Sequence, residues 1–197
     1  MKSKTILLWS LIILAILVMV IPALSFATLL DGTTALDVAA PEYLVAEQSG
    51  PGLPVRLTIR KITVDANIEH LGLTPQGAMA VPEGSADVGW YALGPRPGEE
   101  GSAVIAGHEG WKDAKPAVFD TLHTLSKGDI VSVEDEKGVI TSFVVREIRT
   151  YSQTEDTSNV FGSTDGKAHL NLITCEGVWD PIKKTYANRL VVFTDKE

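Results

Sequence analysis

The stretch Ala168-His169-Leu170-Asn171-Leu172-Ile173-Thr174-Cys175, followed by Glu176-Gly177, decides how the chain is read. It reads as a strand that ends at Cys175, with Glu176-Gly177 closing the apolar run. A thiol at a strand end, followed by glycine and a polar loop, lies near the surface rather than in mid-core. Reactive cysteines need such partial exposure together with a nearby positive charge. Cys175 is the only cysteine, so no internal disulfide forms. Three uses stay open for a leftover thiol: an intermolecular partner, an inert buried residue or a nucleophile.

Outward from this strand, two residues supply what a nucleophilic thiol needs. Arg189 enters the next strand after a loop short enough to set two antiparallel strands side by side. Its guanidinium stays cationic and can donate several hydrogen bonds to a developing oxyanion. His108 follows another apolar run in Ala106-Gly107-His108-Glu109-Gly110. Glycines on both sides let the backbone bend there, and imidazole is the usual general acid and base of acyl transfer.

The remaining pattern is one of short strands separated by turn signals. Strands are expected over 55–62 (Val55, Leu57 and Ile59 on one face), 64–68, 77–81, 102–107, 129–134, 139–148, 168–175 and 190–194. One helix is expected over 117–125, where Phe119, Leu122 and Leu125 recur every third residue. Seven or eight short strands with one intervening helix give an all-β fold with minor helices, closed or nearly closed as a barrel. Closure also removes exposed strand edges.

The N-terminus differs. Lys2 and Lys4 precede residues 5–30, which hold no charged side chain. At ~1.5 Å rise per residue such a helix exceeds the ~30 Å hydrocarbon core of a bilayer. Length favours an uncleaved single-pass anchor. Ser25-Phe26-Ala27 also offers a signal-peptidase type of site, so a cleaved signal peptide stands as the alternative. Both lysines lie before the span, which leaves the N-terminus in the cytoplasm and the rest outside. The division expected is a membrane segment over 1–30, an extracytoplasmic stalk over 31–54 and a barrel over 55–197. The whole chain has a net charge of −8, and with Lys2 and Lys4 before the span the part after it is more acidic still, which argues against nucleic-acid binding.

The motifs together resemble the sortase family, over essentially all of residues 55–193. The resemblance rests on Gly101-Ser102-Ala103-Val104-Ile105-Ala106-Gly107-His108, on Leu172-Ile173-Thr174-Cys175 and on Asn188-Arg189-Leu190-Val191-Val192-Phe193. Gly89-Trp90-Tyr91 and Gly94-Pro95-Arg96-Pro97-Gly98 resemble the class E/F branch. The resemblance implies a closed eight-stranded sortase-type barrel and a cysteine transpeptidase at the cell membrane. It implies Cys175 as nucleophile, His108 as general acid/base and Arg189 as oxyanion stabiliser, with Thr174 and Tyr91 beside the substrate. Its implied partners are secreted proteins with a Leu-Pro-x-Thr-Gly-like signal, or a Leu-Ala-x-Thr-Gly variant, and a cell-wall or pilin amine.

The chemistry implied requires no cofactor. Some sortases bind Ca²⁺, but Glu83, Asp87, Glu155 and Asp156 lack a metal-ligand spacing. His70, His123 and His169 read as packing or surface residues. Trp179-Asp180-Pro181 lies on the wrong side of the barrel sequence to be the Asp-Pro-aromatic lid of pilin-type sortases. An L,D-transpeptidase would carry Ser-x-Gly before its cysteine, where this chain has Leu172-Ile173-Thr174. Papain-like peptidases place Cys before His, the reverse of the order here. A non-catalytic binding barrel leaves the joint presence of His108, Cys175 and Arg189 without a cause.

Overall fold

A computed structural model describes residues 50–111, 115–180, 182 and 185–197. The expected membrane segment 1–30 and most of the expected stalk 31–54 lie outside the described residues. Among those described, no helix is long and apolar enough to cross a membrane.

Eight strands occur among the described residues. They are β1 (Pro54–Ile59), β2 (Val64–Leu71), β3 (Val88–Tyr91), β4 (Gly101–Gly107), β5 (Ile130–Asp135), β6 (Ile140–Ser152), β7 (Ala168–Asp180) and β8 (Thr185–Lys196). One short helix, α1 (Ser158–Phe161), interrupts the β6–β7 connection. The strands close in the order β1-β2-β3-β4-β7-β8-β6-β5. Pairing is antiparallel except between β2 and β3 and between β4 and β7.

Strand alternation sorts the side chains into two sets. Leu170, Leu172, Leu190 and Val192 face inward with Leu57, Ile59, Ala103, Ile105 and Phe143, forming the barrel core. Val191 and Phe193 face outward and are covered by Tyr151 and by Val160 of α1, with Ile173 packed against them. The outer face of β7 and β8 is therefore apolar because the β6–β7 connection lies over it.

Four local expectations need correction. Val55 does not share a face with Leu57 and Ile59: a register irregularity between Pro54 and Arg56 turns it outward, and it is 38% exposed. Residues 77–81 form no strand and contribute only the isolated Leu73–Met79 bridge. Over 117–125 there is no α-helix, only turns and a 3-10 turn at Leu122–Thr124. Phe119, Leu122 and Leu125 are buried as expected, but spacing of three is the period of the 3-10 turn. The fourth is the strand expected to end at Cys175: β7 runs on to Asp180, so Cys175 lies within it; β3, whose residues Val88-Gly89-Trp90-Tyr91 show no alternation, was not expected.

The barrel also begins slightly earlier than expected. Gly52 N–H donates to the Asp135 carboxylate at 2.7 Å, and Leu53 and Glu136 exchange hydrogen bonds. Arg96 donates to the Pro51 carbonyl at 3.0 Å, and the Trp90 indole N–H to the Pro95 carbonyl at 3.0 Å. The Gly94–Gly98 loop thus works as a clamp on the segment entering β1.

Replacing Leu172, fully buried on β7 between β4 and β8, with alanine leaves a cavity in the core. Leu172→Ala is expected to lower stability by about 2–5 kcal/mol in denaturant unfolding, whereas Val139→Ala, 56% exposed, should fall within about 0.5 kcal/mol of the parent.

Candidate active site

The site follows from strand register. β4 and β7 run parallel without interruption from Gly101 beside Ala168 to Ala106 beside Ile173. One residue further, Gly107 lies beside Thr174, and the next step sets His108 beside Cys175. The Thr174 hydroxyl secures this end of the ladder by donating to the Gly107 carbonyl at 2.9 Å. On the other side of β7, Cys175 is paired directly with Arg189 of β8. Alternation puts Cys175 and Arg189 on the outer face shared with Ile173 and Val191, and puts His108 on the face of Ala106. The three residues singled out in the sequence therefore converge on one outer face.

Gly107 is required by packing. A Cβ there would lie 2.5 Å from a Phe119 ring carbon and 2.8 Å from Val118. Phe119 in turn donates its N–H to the His108 carbonyl at 2.9 Å, so the turn that precedes the 3-10 segment holds the His108 backbone. The imidazole Nε2 is 2.8 Å from the Pro82 carbonyl, which can only accept, so Nε2 carries the hydrogen. The Trp111 ring packs edge-on against it at 4.7 Å. Nδ1 is then the nitrogen left without a hydrogen on the neutral ring.

Cys175 is half-buried, and burial pushes its thiol up from the ordinary value. The Arg189 charge opposes this and the Glu109 carboxylate adds to it. Glu109 is itself pushed up, mainly by burial and next by Glu176, with His123 opposing and Asp120 adding. Its Oε2 is buried with no protein hydrogen-bond partner. The Arg189 guanidinium donates to the Asn188 carbonyl at 2.8 Å and to Tyr186 O and Thr185 Oγ1 at 3.3 Å each. A guanidinium has five donors, so these bonds fix it without exhausting it. Two residues beyond Cys175, Gly177 has a φ of 92° in the left-handed region and lies at the register irregularity between Glu176 and Trp179 of β7.

Beside Arg189 lies an apolar groove of about 200 Å³, lined by Met79, Val81, Ala106, Phe161, Ile173 and Val191 among others. Tyr91 meets its wall from behind, edge-on to Phe161 at 5.7 Å. Thr174 is 2% exposed and faces the interior; it shapes the site through Gly107 and makes no surface of its own. The groove walls from α1 and from the β2–β3 loop carry no sequence signal, being short apolar pieces between turns. Glu109 was available as the neighbour of His108.

Glu83, Asp87, Glu155 and Asp156 do not converge. Asp87 meets Asn67, Glu155 meets Arg149, and Asp156 caps Ser158. Among the described residues, no group of three or more His, Cys, Asp or Glu side chains is placed to hold a metal ion.

A closed barrel with a thiol, an imidazole and a guanidinium on one outer face defines a cysteine acyl-transfer enzyme. A family model described as the sortase domain matches residues 57–197, and the chain belongs to the sortase family, whose members are cysteine transpeptidases. Solved structures agree in fold. Sortase C-1 from Actinomyces oris is 26% identical, with a TM-score of 0.56 over 73% of this chain and 74% of that one. Sortase C1 from Streptococcus agalactiae is 20% identical, with a TM-score of 0.57 over 78% and 71%. Sortase A from Corynebacterium diphtheriae is 21% identical, with a TM-score of 0.56 over 76% and 63%. Comparison with curated protein sequences gave no match.

The electrostatics give a test by alkylation rate against pH. Removing the Glu109 charge favours the thiolate, so in Glu109→Gln the reactivity profile of Cys175 should move to lower pH. Removing the Arg189 charge disfavours it, so in Arg189→Gln the profile should move to higher pH. Coincident profiles would remove both charges from the thiol's environment.

Proposed function

We propose that the protein is a sortase acting on a Leu-Pro-x-Thr-Gly-like or Leu-Ala-x-Thr-Gly signal, cutting between Thr and Gly. The observation that carries the reading is the direct cross-strand pairing of Cys175 with Arg189, with His108 following directly after the flanking parallel strand β4. The apolar groove beside Arg189 suits the Leu-Pro part of such a peptide. Tyr91 supports the wall of that groove through Phe161.

The Cys175 thiol gives its proton to His108 as sulfur bonds to the Thr carbonyl carbon. Arg189 donates to the resulting oxyanion. Collapse breaks the Thr–Gly bond, and His108 hands the proton to the departing amine, leaving a thioester. An incoming amine attacks that thioester, loses a proton to His108 and forms the new amide. Cys175 leaves as thiolate and takes the proton back. This cycle uses no cofactor. The acceptor is a cell-wall precursor or a pilin Lys, water giving hydrolysis instead. The Gly89-Trp90-Tyr91 and Gly94–Gly98 motifs support a place in the class E/F branch. The apolar segment at 5–30 supports a membrane-tethered enzyme with its catalytic domain outside the cell.

Incubation with a sorting-peptide library and hydroxylamine should yield Thr-hydroxamate, detected by mass spectrometry. Cys175→Ala should abolish it. Arg189→Ala should lower the rate about 10²–10³-fold, while His108→Ala should retain the thiol and stall turnover. Absence of any cut Leu-x-x-Thr-Gly peptide in the parent overturns the reading.

A further inference from the structure

His169 lies on the same outer face of β7 as Cys175, three alternations before it. It is 4% exposed, yet both ring nitrogens meet carboxylates. Nδ1 is 2.8 Å from Asp195 on β8, and Nε2 is 3.0 and 3.2 Å from the two oxygens of Asp165 on the β6–β7 connection. Ionised carboxylates only accept, and a neutral imidazole has only one N–H. Both acids are suited to accept. Asp165 is held well below the usual carboxylate range, first by His169, then by the Ser163 hydroxyl and the Lys167 amide. Asp195 also receives Arg146 at 3.1 Å. The other charged groups facing this cluster are Glu147 and Arg149 of β6, which line an adjoining polar cavity of about 270 Å³ with Ser102 of β4.

The clip has a mechanical consequence. Asp165 follows α1, and α1 supplies Val160 and Phe161 to the groove wall. At α1 itself, the Asn171 amide donates to the Val160 carbonyl at 2.6 Å. The connection is thus tied to β7 twice, at Val160 by Asn171 and at Asp165 by His169. We propose that His169 is a positioning residue that, through Asp165 and Asp195, holds the β6–β7 connection in place as the wall of the peptide groove. It governs how well the sorting peptide is held and leaves the chemical step to Cys175, His108 and Arg189. The effect on peptide rests on the sortase reading above; the attachment of the connection does not.

Asp165→Asn, a substitution at a half-exposed site, breaks one tie and leaves the barrel core intact. In that variant the amides of Val160 and Gly162, bonded to Thr157 O at 2.9 Å and Ser158 O at 3.1 Å, should exchange about tenfold faster. KM for a cleaved sorting peptide should rise about tenfold with kcat unchanged. His169→Gln should do the same. Unchanged exchange in Asp165→Asn, or a loss confined to kcat, overturns the positioning role. If the parent cuts no sorting peptide, the functional reading fails while the exchange result still decides the clip.

Discussion

The parallel pairing of β4 with β7 is the constraint on which the site depends. Parallel neighbours cannot be joined by a tight turn. Here the connection between them takes in β5, β6 and α1, and these elements are what close the barrel and cover its outer face. The register of that single pair sets His108 level with Cys175, and the Thr174–Gly107 hydrogen bond fixes it at the point where the ladder ends. A slip by one residue would turn every side chain of β7 over, sending Cys175 into the core and Leu172 into the groove.

The two faces of β7 divide the work. Inward, Leu170, Leu172 and Thr174 hold the barrel; outward, His169, Asn171, Ile173 and Cys175 run from the clip through the groove floor to the nucleophile. Burial and the Glu109 charge oppose ionisation of the Cys175 thiol, and Arg189 favours it. Glu176 acts one step removed, by adding to the burial that pushes Glu109 up.

Much of this was legible because it was local. The run Ala168–Cys175 and the run before His108 announce strands by composition; His108 does follow a strand end, whereas β7 runs on to Asp180 and leaves Cys175 inside it. The periodicity of Phe119, Leu122 and Leu125 identified buried residues and misnamed the turn that buries them, since a three-residue repeat suits either helix type over one segment. β3 was illegible as a strand because Gly89 and Trp90 break the alternation. Gly89 sits close against Leu71, where a Cβ would lie 2.0 Å from a side-chain carbon, a tertiary fact with no sequence trace. His169 was set aside as packing because one partner, Asp195, is 26 residues away. Only the fold brings these two carboxylates to its two nitrogens. The apolar segment over 5–30, expected as a membrane element, lies outside the described residues.

The thiol's resting state has a consequence for chemical durability. Oxidants, like electrophiles, attack the thiolate far faster than the thiol. Cys175 is the chain's only cysteine, so it has no neighbouring thiol with which to form a reversible disulfide. By burying the sulfur and keeping Glu109 close, the fold holds it in its unreactive form between turnovers. The slower attack that results is exchanged for a longer working life against irreversible sulfinic and sulfonic damage.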